Sequence, residues 1–240
     1  MKIKKSNLVR LLALELSFLL LVGCASVASS QVKRAEQNQN ANAAAPTPND
    51  EINRPRSEPY TGELSIFEDP KREENLQIMR VMDILKIKDS VNVADIGAGS
   101  GWFTARAAKR TKGAVYAVEI NQEYINHIND RAKKENLPNI KTVLGKEDDP
   151  LLPEKSIDAV LILKTYHEIG APIRLMKNLK KSLRKGALVG IIDRSGKGDD
   201  HGIDSAQVVK EMEQAGFALN ETYDFVKSEG IEYFLVFRVK

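Results

Sequence analysis

Cysteine occurs once in these 240 residues, at Cys24. A single thiol forms no internal disulfide and leaves no cysteine-based metal site. Histidine occurs three times, with no ligand spacing that suggests a metal centre, so no metal is expected. A charge excess is missing from the body of the chain. The net charge is +3, but Lys2, Lys4, Lys5 and Arg10 against Glu15 account for all of it within the first 23 residues, and the rest carries 32 basic and 32 acidic residues. That balance leaves no basic footprint for nucleic acid. What is present is 42% hydrophobic residues, enough for a sizeable core, in a length that suits one domain plus appendages.

A long apolar span is also missing. Leu11–Val22 is mostly apolar but interrupted by Glu15 and Ser17, and it falls short of the roughly 20 residues that cross a bilayer. With its basic start and with Gly23 and Cys24 behind it, the segment reads as a secretory signal over residues 1–23. Leu21-Val-Gly-Cys24 resembles a bacterial lipobox, which implies cleavage before Cys24 and acylation of its thiol and new amine. The competing reading is a short N-terminal anchor with an incidental cysteine. Several acyl chains give stable membrane attachment. Ala25 and Ser26 supply no Asp after the cysteine, so the expected location is the cell envelope, at the outer membrane in a Gram-negative organism. Residues 24–60 are rich in Ala, Asn, Gln, Ser and Pro and read as a disordered tether. About 36 flexible residues reach roughly 30–35 Å. The folded domain is then 61–240.

In that domain apolar periodicity alternates between strand and helix. A helix is expected from Asp69-Pro70 to Lys86, with Leu76, Met79, Met82 and Leu85 on one face. Strands are expected at 91–96, 113–119, 140–144, 157–163 and 186–193, and helices at 101–110, 122–136, 172–183 and 204–215, with Asp204 as N-cap and Gly216 as stop. Two more strands, 217–225 and 231–239, follow in succession around Ser228-Glu-Gly230. Alternation implies an α/β fold, a doubly wound and mostly parallel sheet of seven strands. The final short connection makes the C-terminal strand antiparallel.

The most chemical stretch is Asp95-Ile-Gly-Ala-Gly-Ser-Gly101. An apolar strand reaches an acid and breaks into glycines that let backbone approach a ligand, at the start of a helix with free N-terminal amides. A dinucleotide site wants G-x-G-x-x-G, whereas this chain has G-x-G-x-G and then Trp102. A structural tight turn is the other alternative. Glu119, at the end of the second strand, is placed to accept from both ribose hydroxyls of a nucleoside.

The glycine motif and the terminal strand pair resemble the class I S-adenosylmethionine-dependent methyltransferases over residues 70–240. The resemblance implies S-adenosyl-L-methionine as cofactor. It implies Asp95 near the methionine ammonium, with Gly97, Ala98, Gly99 and Gly101 lining that end, Glu119 on the ribose and Ile120 against adenine. An acid among Glu147, Asp148 and Asp149 would contact the adenine amino group, and Asp148 is chosen. Tyr166-His167-Glu168 leaves the fourth strand and resembles the Tyr-His-Glu of a group of methyltransferases, several of them exported. Tyr166 and His167 are therefore the candidate catalytic residues, with His167 acting in proton transfer or in positioning. The polar loop Asp193–His201 is either a substrate-side lid or a solvated connection. The Asn-Pro-Pro-Tyr signature of amino-methylating nucleic-acid enzymes is absent, since the stretch reads Lys164-Thr-Tyr-His. The expected acceptor is a small or medium molecule, with no nucleic acid involved. The address and the activity pull apart, because the cofactor is made in the cytoplasm and a lipobox exports the domain. A membrane-anchored lipoprotein that keeps the fold as a nucleoside- or protein-binding module is the alternative.

Overall fold

Val93-Ala-Asp-Ile96 is buried along its whole length, as a strand covered on both faces requires. It is β1 of a seven-stranded sheet in the computed structural model, which describes residues 54–197, 199–226 and 230–240. The signal segment, Cys24, the tether up to residue 53 and the Ser228-Glu229 turn lie outside the described residues. No helix among the described residues is long and apolar enough to cross a membrane.

The other strands are β2 (Val115–Glu119), β3 (Ile140–Leu144), β4 (Ile157–Leu163), β5 (Leu183–Arg194), β6 (Phe217–Tyr223) and β7 (Glu232–Val239), in the order β3-β2-β1-β4-β5-β7-β6. All pairings are parallel except those of β7, which runs antiparallel to both β5 and β6. The helices are α1 (Arg72–Asn75), α2 (Ile78–Ile84), α3 (Trp102–Arg110), α4 (Gln122–Lys134), α5 (Pro172–Ser182) and α6 (Ser205–Gln214). The expected α/β class, the seven strands and the antiparallel C-terminal strand are all present. Asp204 caps α6 by accepting from Ala206 N at 3.0 Å.

Strand alternation divides the core in two. In β4, Ile157, Val160 and Ile162 join Met176 and Leu179 of α5 and Met212 of α6 on one face. Ala159, Leu161 and Leu163 join Met82 of α2 and Phe103 of α3 on the other. A period of two with both faces apolar makes the run continuously hydrophobic, and helices must cover each side.

The helix expected from Asp69-Pro70 to Lys86 is broken. Gln77 sits between α1 and α2 with φ of 45°, in the left-handed region. That conformation costs about 1–2 kcal/mol for a residue with a Cβ. It also resets the helical phase, so Ile78 and Val81 are fully buried while Met79 is 52% exposed. Packing of the second phase outweighs continuity of the first.

Residues 54–60, read from sequence as the end of the tether, lie on the body. Arg54 pairs with Glu211 of α6 at 2.7 Å, with the two side chains 9% and 2% exposed. Arg56 donates to the Glu168 carbonyl at 3.2 Å, and Ser57 Oγ accepts from His201 N at 2.9 Å. The strap continues through a short 3-10 turn, Leu64–Glu68. Glu68 Oε1 accepts from Ser100 Oγ at 2.7 Å and from Arg131 at 2.6 Å, hooking the strap to the glycine turn.

Candidate functional site

The sheet order reverses between β1 and β4, and open α/β sheets bind ligands beyond the carboxyl ends of their strands at such a point. A cavity of about 630 Å³ opens there. Its size falls in the ~300–1,000 Å³ range of small-molecule sites. The turns after β1, β2 and β4 form its floor, and the strap residues Tyr60, Ile66 and Phe67 close over it.

On the β1–β2 side the wall is largely backbone. Gly97, Gly99 and Gly101 have φ of 72°, 54° and 72°. At Gly97 a Cβ would lie 2.3 Å from Thr165 Cγ2, so two separate demands, handedness and room, fix glycine there. Gly101 is the N-cap of α3. Glu119 ties the turn down: Oε2 accepts from Gly99 N at 2.9 Å, and Oε1 accepts from Ile120 N at 2.8 Å and Asn121 N at 3.1 Å. A carboxylate offers about four acceptor sites, so three backbone donors leave about one. Glu119 can take one ribose hydroxyl without giving up a backbone contact, rather than the pair expected from sequence. Ala98, Gly99, Glu119 and Ile120 all line the cavity, and Ile120 is 43% exposed there.

Asp95 is buried at the cavity wall and accepts from Thr104 Oγ1 at 2.6 Å. Burial raises its carboxyl to about 6, partly opposed by the Thr104 hydroxyl and by the Arg72 charge. Arg72 also lines the cavity, with its guanidinium 4.6 Å from the Trp102 ring centroid and 5.4 Å from that of Phe67. Burial lowers Arg72 to about 10, and the Asp95 and Glu68 carboxylates support its charge. One acid and one base therefore face the same end of the cavity.

The acid after β3 is a correction. Asp148 does not line the cavity, and instead accepts from Arg174 of α5 at 3.1 Å. Glu147 lines it, beside Lys146. A two-residue bridge, Lys146 to Asp149, folds the loop back so that the middle acids point to opposite sides.

On the β4–β5 side both candidate catalytic residues lie behind the wall. Tyr166 is fully buried in the core beside α6, where burial and the Glu211 carboxylate hold its phenol well above the usual value. It does not reach the cavity. His167 is 4% exposed, with Nδ1 2.9 Å from Asp193 Oδ1 and its backbone N donating to Asp193 Oδ2 at 3.1 Å. The polar groups that do line the cavity on this side include Lys164, Thr165, Glu168, Arg194 and His201. Burial pushes the Glu168 carboxyl up to about 7, with His167 pulling the other way. The Asp193–His201 loop, ambiguous from sequence, thus supplies one residue that holds His167 and two that line the cavity.

A sequence profile described as a methyltransferase domain matches residues 93–186. A protein-L-isoaspartate O-methyltransferase of Pyrococcus horikoshii is 28% identical over 93 residues, 39% of this chain and 42% of that one. An uncharacterized methyltransferase of Mycobacterium bovis is 32% identical over 100 residues, 42% of this chain and 38% of that one. The chain thus spans less than half the length of these curated relatives. Among solved structures, a SAM-dependent methyltransferase from Aquifex aeolicus superposes with a TM-score of 0.68 at 23% identity, covering 74% of this chain and 97% of the other. The chain is therefore similar to methyltransferases over residues 93–186, and it shares the Rossmann-like fold of a SAM-dependent methyltransferase.

Proposed function

We propose that the protein transfers the sulfonium methyl of S-adenosyl-L-methionine to a small or medium acceptor that enters on the β4–β5 side of the cavity. The observation that carries this is that Asp95, where the glycine turn begins, and Arg72 both line the cavity, near enough for the Arg72 charge to act on the Asp95 carboxyl. An α-amino acid presents an ammonium and a carboxylate together, and this end of the cavity presents their complements. Asp95 takes the ammonium and Arg72 the carboxylate. Gly97–Gly101 bring backbone close to the sulfonium end, Glu119 takes one ribose hydroxyl, and Ile120 and Glu147 border the base.

When bound, the cofactor supplies an electrophilic methyl for in-line displacement, a reaction that rests mainly on positioning. The chain's part is to hold, orient and exclude water. Tyr60 and Phe67 of the strap cover the cavity mouth, and Thr165 packs on Gly97 where the two sides meet. Tyr166 braces the core. His167 steadies the β4 turn from behind through Asp193 instead of touching the acceptor.

The anchor belongs to the same proposal and rests on the sequence of residues 1–24. Acylated Cys24 would hold the domain at the envelope membrane by its tether. Cys24→Ser should move the protein from the membrane to the soluble fraction, and unchanged fractionation would remove the anchor from the proposal. The reaction is tested by incubating the purified full chain with methyl-labelled cofactor and envelope extract. Label should pass to an acceptor with the wild type and not with Asp95→Ala. Equal transfer by both would overturn the assignment.

A further inference from the structure

Three side chains at the β4–β5 side meet although the sequence keeps two of them far apart. His167, Glu168 and His201 each offer a ligand atom, and these atoms all lie within 4.8 Å of one another. The His167 and His201 rings stand edge to face with centroids 6.0 Å apart. His167 Nε2 and Glu168 Oε1 are 3.8 Å apart. We propose that His167, Glu168 and His201 bind a divalent transition-metal ion at the β4–β5 edge of the cavity.

The histidine is prepared for that task. Asp193 is fully buried, and its two oxygens engage His167 Nδ1 and the His167 backbone N–H. The contact through Nδ1 fixes the ring in orientation and leaves Nε2 on the side of Glu168. A carboxylate behind the distal nitrogen is the usual support of a metal-ligating histidine, since it sets the tautomer and raises ligand basicity. The Glu168 carboxylate is steadied by the Tyr60 backbone N–H, while Arg56 is committed to the Glu168 carbonyl. Glu168 and Asp193 bring two carboxylates against the charge of the ion.

Two imidazoles and one carboxylate suit zinc, iron(II) or cobalt(II) better than magnesium or calcium, which prefer all-oxygen cages. Three protein ligands leave at least one position open. Glu168 and His201 line the cavity, so the open position faces the space where the acceptor enters. Sequence spacing gives no sign of such a site, because His201 sits on the loop after β5 and only the fold returns that loop to the turn after β4. Asp204 N-caps α6 just beyond it, and His201 itself takes φ of 58°, a backbone turn that brings the ring to the cavity.

The test uses the full chain, treated with chelator, desalted and free of cofactor, so that its outcome is independent of the methyl-transfer reading. Zinc is titrated by calorimetry and cobalt(II) by visible absorption. The expected result is about one ion per chain, with d–d bands typical of mixed nitrogen and oxygen ligation. His201→Ala and Glu168→Gln should each weaken binding at least about tenfold, and Asp193→Asn about 10–100-fold through the ring it supports. His127→Ala, an exposed histidine on α4, should leave it unchanged. His167→Ala removes a buried side chain and can unfold the protein, so the exposed His201 carries the decision, with circular dichroism confirming the fold of that variant. Binding by His201→Ala equal to wild type, or no ion retained by the wild type, overturns the site.

Discussion

On the β1–β2 side of the cavity one continuous stretch, Asp95 to Gly101, supplies much of the wall, largely as backbone. On the β4–β5 side the wall is made of side chains from the strap, the turn after β4 and the loop after β5, brought together only by folding. A backbone wall depends on conformations that few residues adopt, so it writes itself into the sequence as glycines. A side-chain wall depends on tertiary contacts and leaves no local pattern.

The difference can be broken from the second side first, because the strap that shapes it hangs on a buried ion pair. Glu211→Ala leaves the Arg54 guanidinium buried without its partner. Losing one member of such a pair costs about 3–5 kcal/mol. Urea denaturation of the full chain should show that loss, and the double change Arg54→Met with Glu211→Leu should recover most of it. A loss under about 1 kcal/mol, the level of an exposed pair, would mean the strap is held elsewhere.

From the first side, Gly97→Ala meets both a positive φ and the Thr165 side chain. Strain of this kind costs about 1–3 kcal/mol. Cofactor binding should fall further than stability does, because the turn itself forms the binding wall. Equal cofactor affinity in the variant would show that backbone placement there is not what binds.

A pH series sharpens the comparison with smaller changes. Burial raises Asp95 from 3.8 to about 6 in the fold. Between those values the native carboxyl keeps a proton that the unfolded chain has released, so its contribution makes stability fall as pH rises through that window. Cofactor affinity should move the other way, rising through about pH 6 as the carboxylate forms and attracts an ammonium. Asp95→Asn should flatten both trends, measured by denaturation and calorimetry at each pH. A pH-independent affinity in the wild type would remove Asp95 from the ammonium.

The smallest effect separates neighbours on the β3 loop. Glu147→Ala should weaken cofactor binding about fivefold, the worth of one hydrogen bond of ~1 kcal/mol. Asp148→Ala breaks a half-exposed pair with Arg174 and should leave affinity nearly unchanged. The reverse result would restore the residue chosen from sequence.

What could be read from sequence follows the same division. The strand–helix alternation, the buried period-two run of β4, the glycine turn and Glu119 are local signals, and the structure carries each of them. The helix break at Gln77 could not be read, because Leu76, Met79, Met82 and Leu85 satisfy one helical face; the fold buries Leu76, Met82 and Leu85, adds Ile78 and Val81, and turns only Met79 out. Glu147, Asp148 and Asp149 look alike in sequence until the loop turns Glu147 to the cavity and Asp148 to Arg174. In Tyr166-His167-Glu168 a short 3-10 turn puts the first two side chains inside and the third at the cavity, a division that the three residue types do not announce. Arg54, Arg56 and Ser57 lie in a polar stretch whose composition resembles a tether, and their partners are more than a hundred residues away.

The glycine turn with Asp95 and Arg72 is the proposed site for S-adenosyl-L-methionine. It is tested most directly by calorimetric titration of the purified full chain with that compound, alongside Asp95→Ala. Saturable binding of one cofactor per chain is expected, lost in the variant while circular dichroism shows the fold intact. No heat at millimolar cofactor, or the same affinity in both proteins, would contradict it.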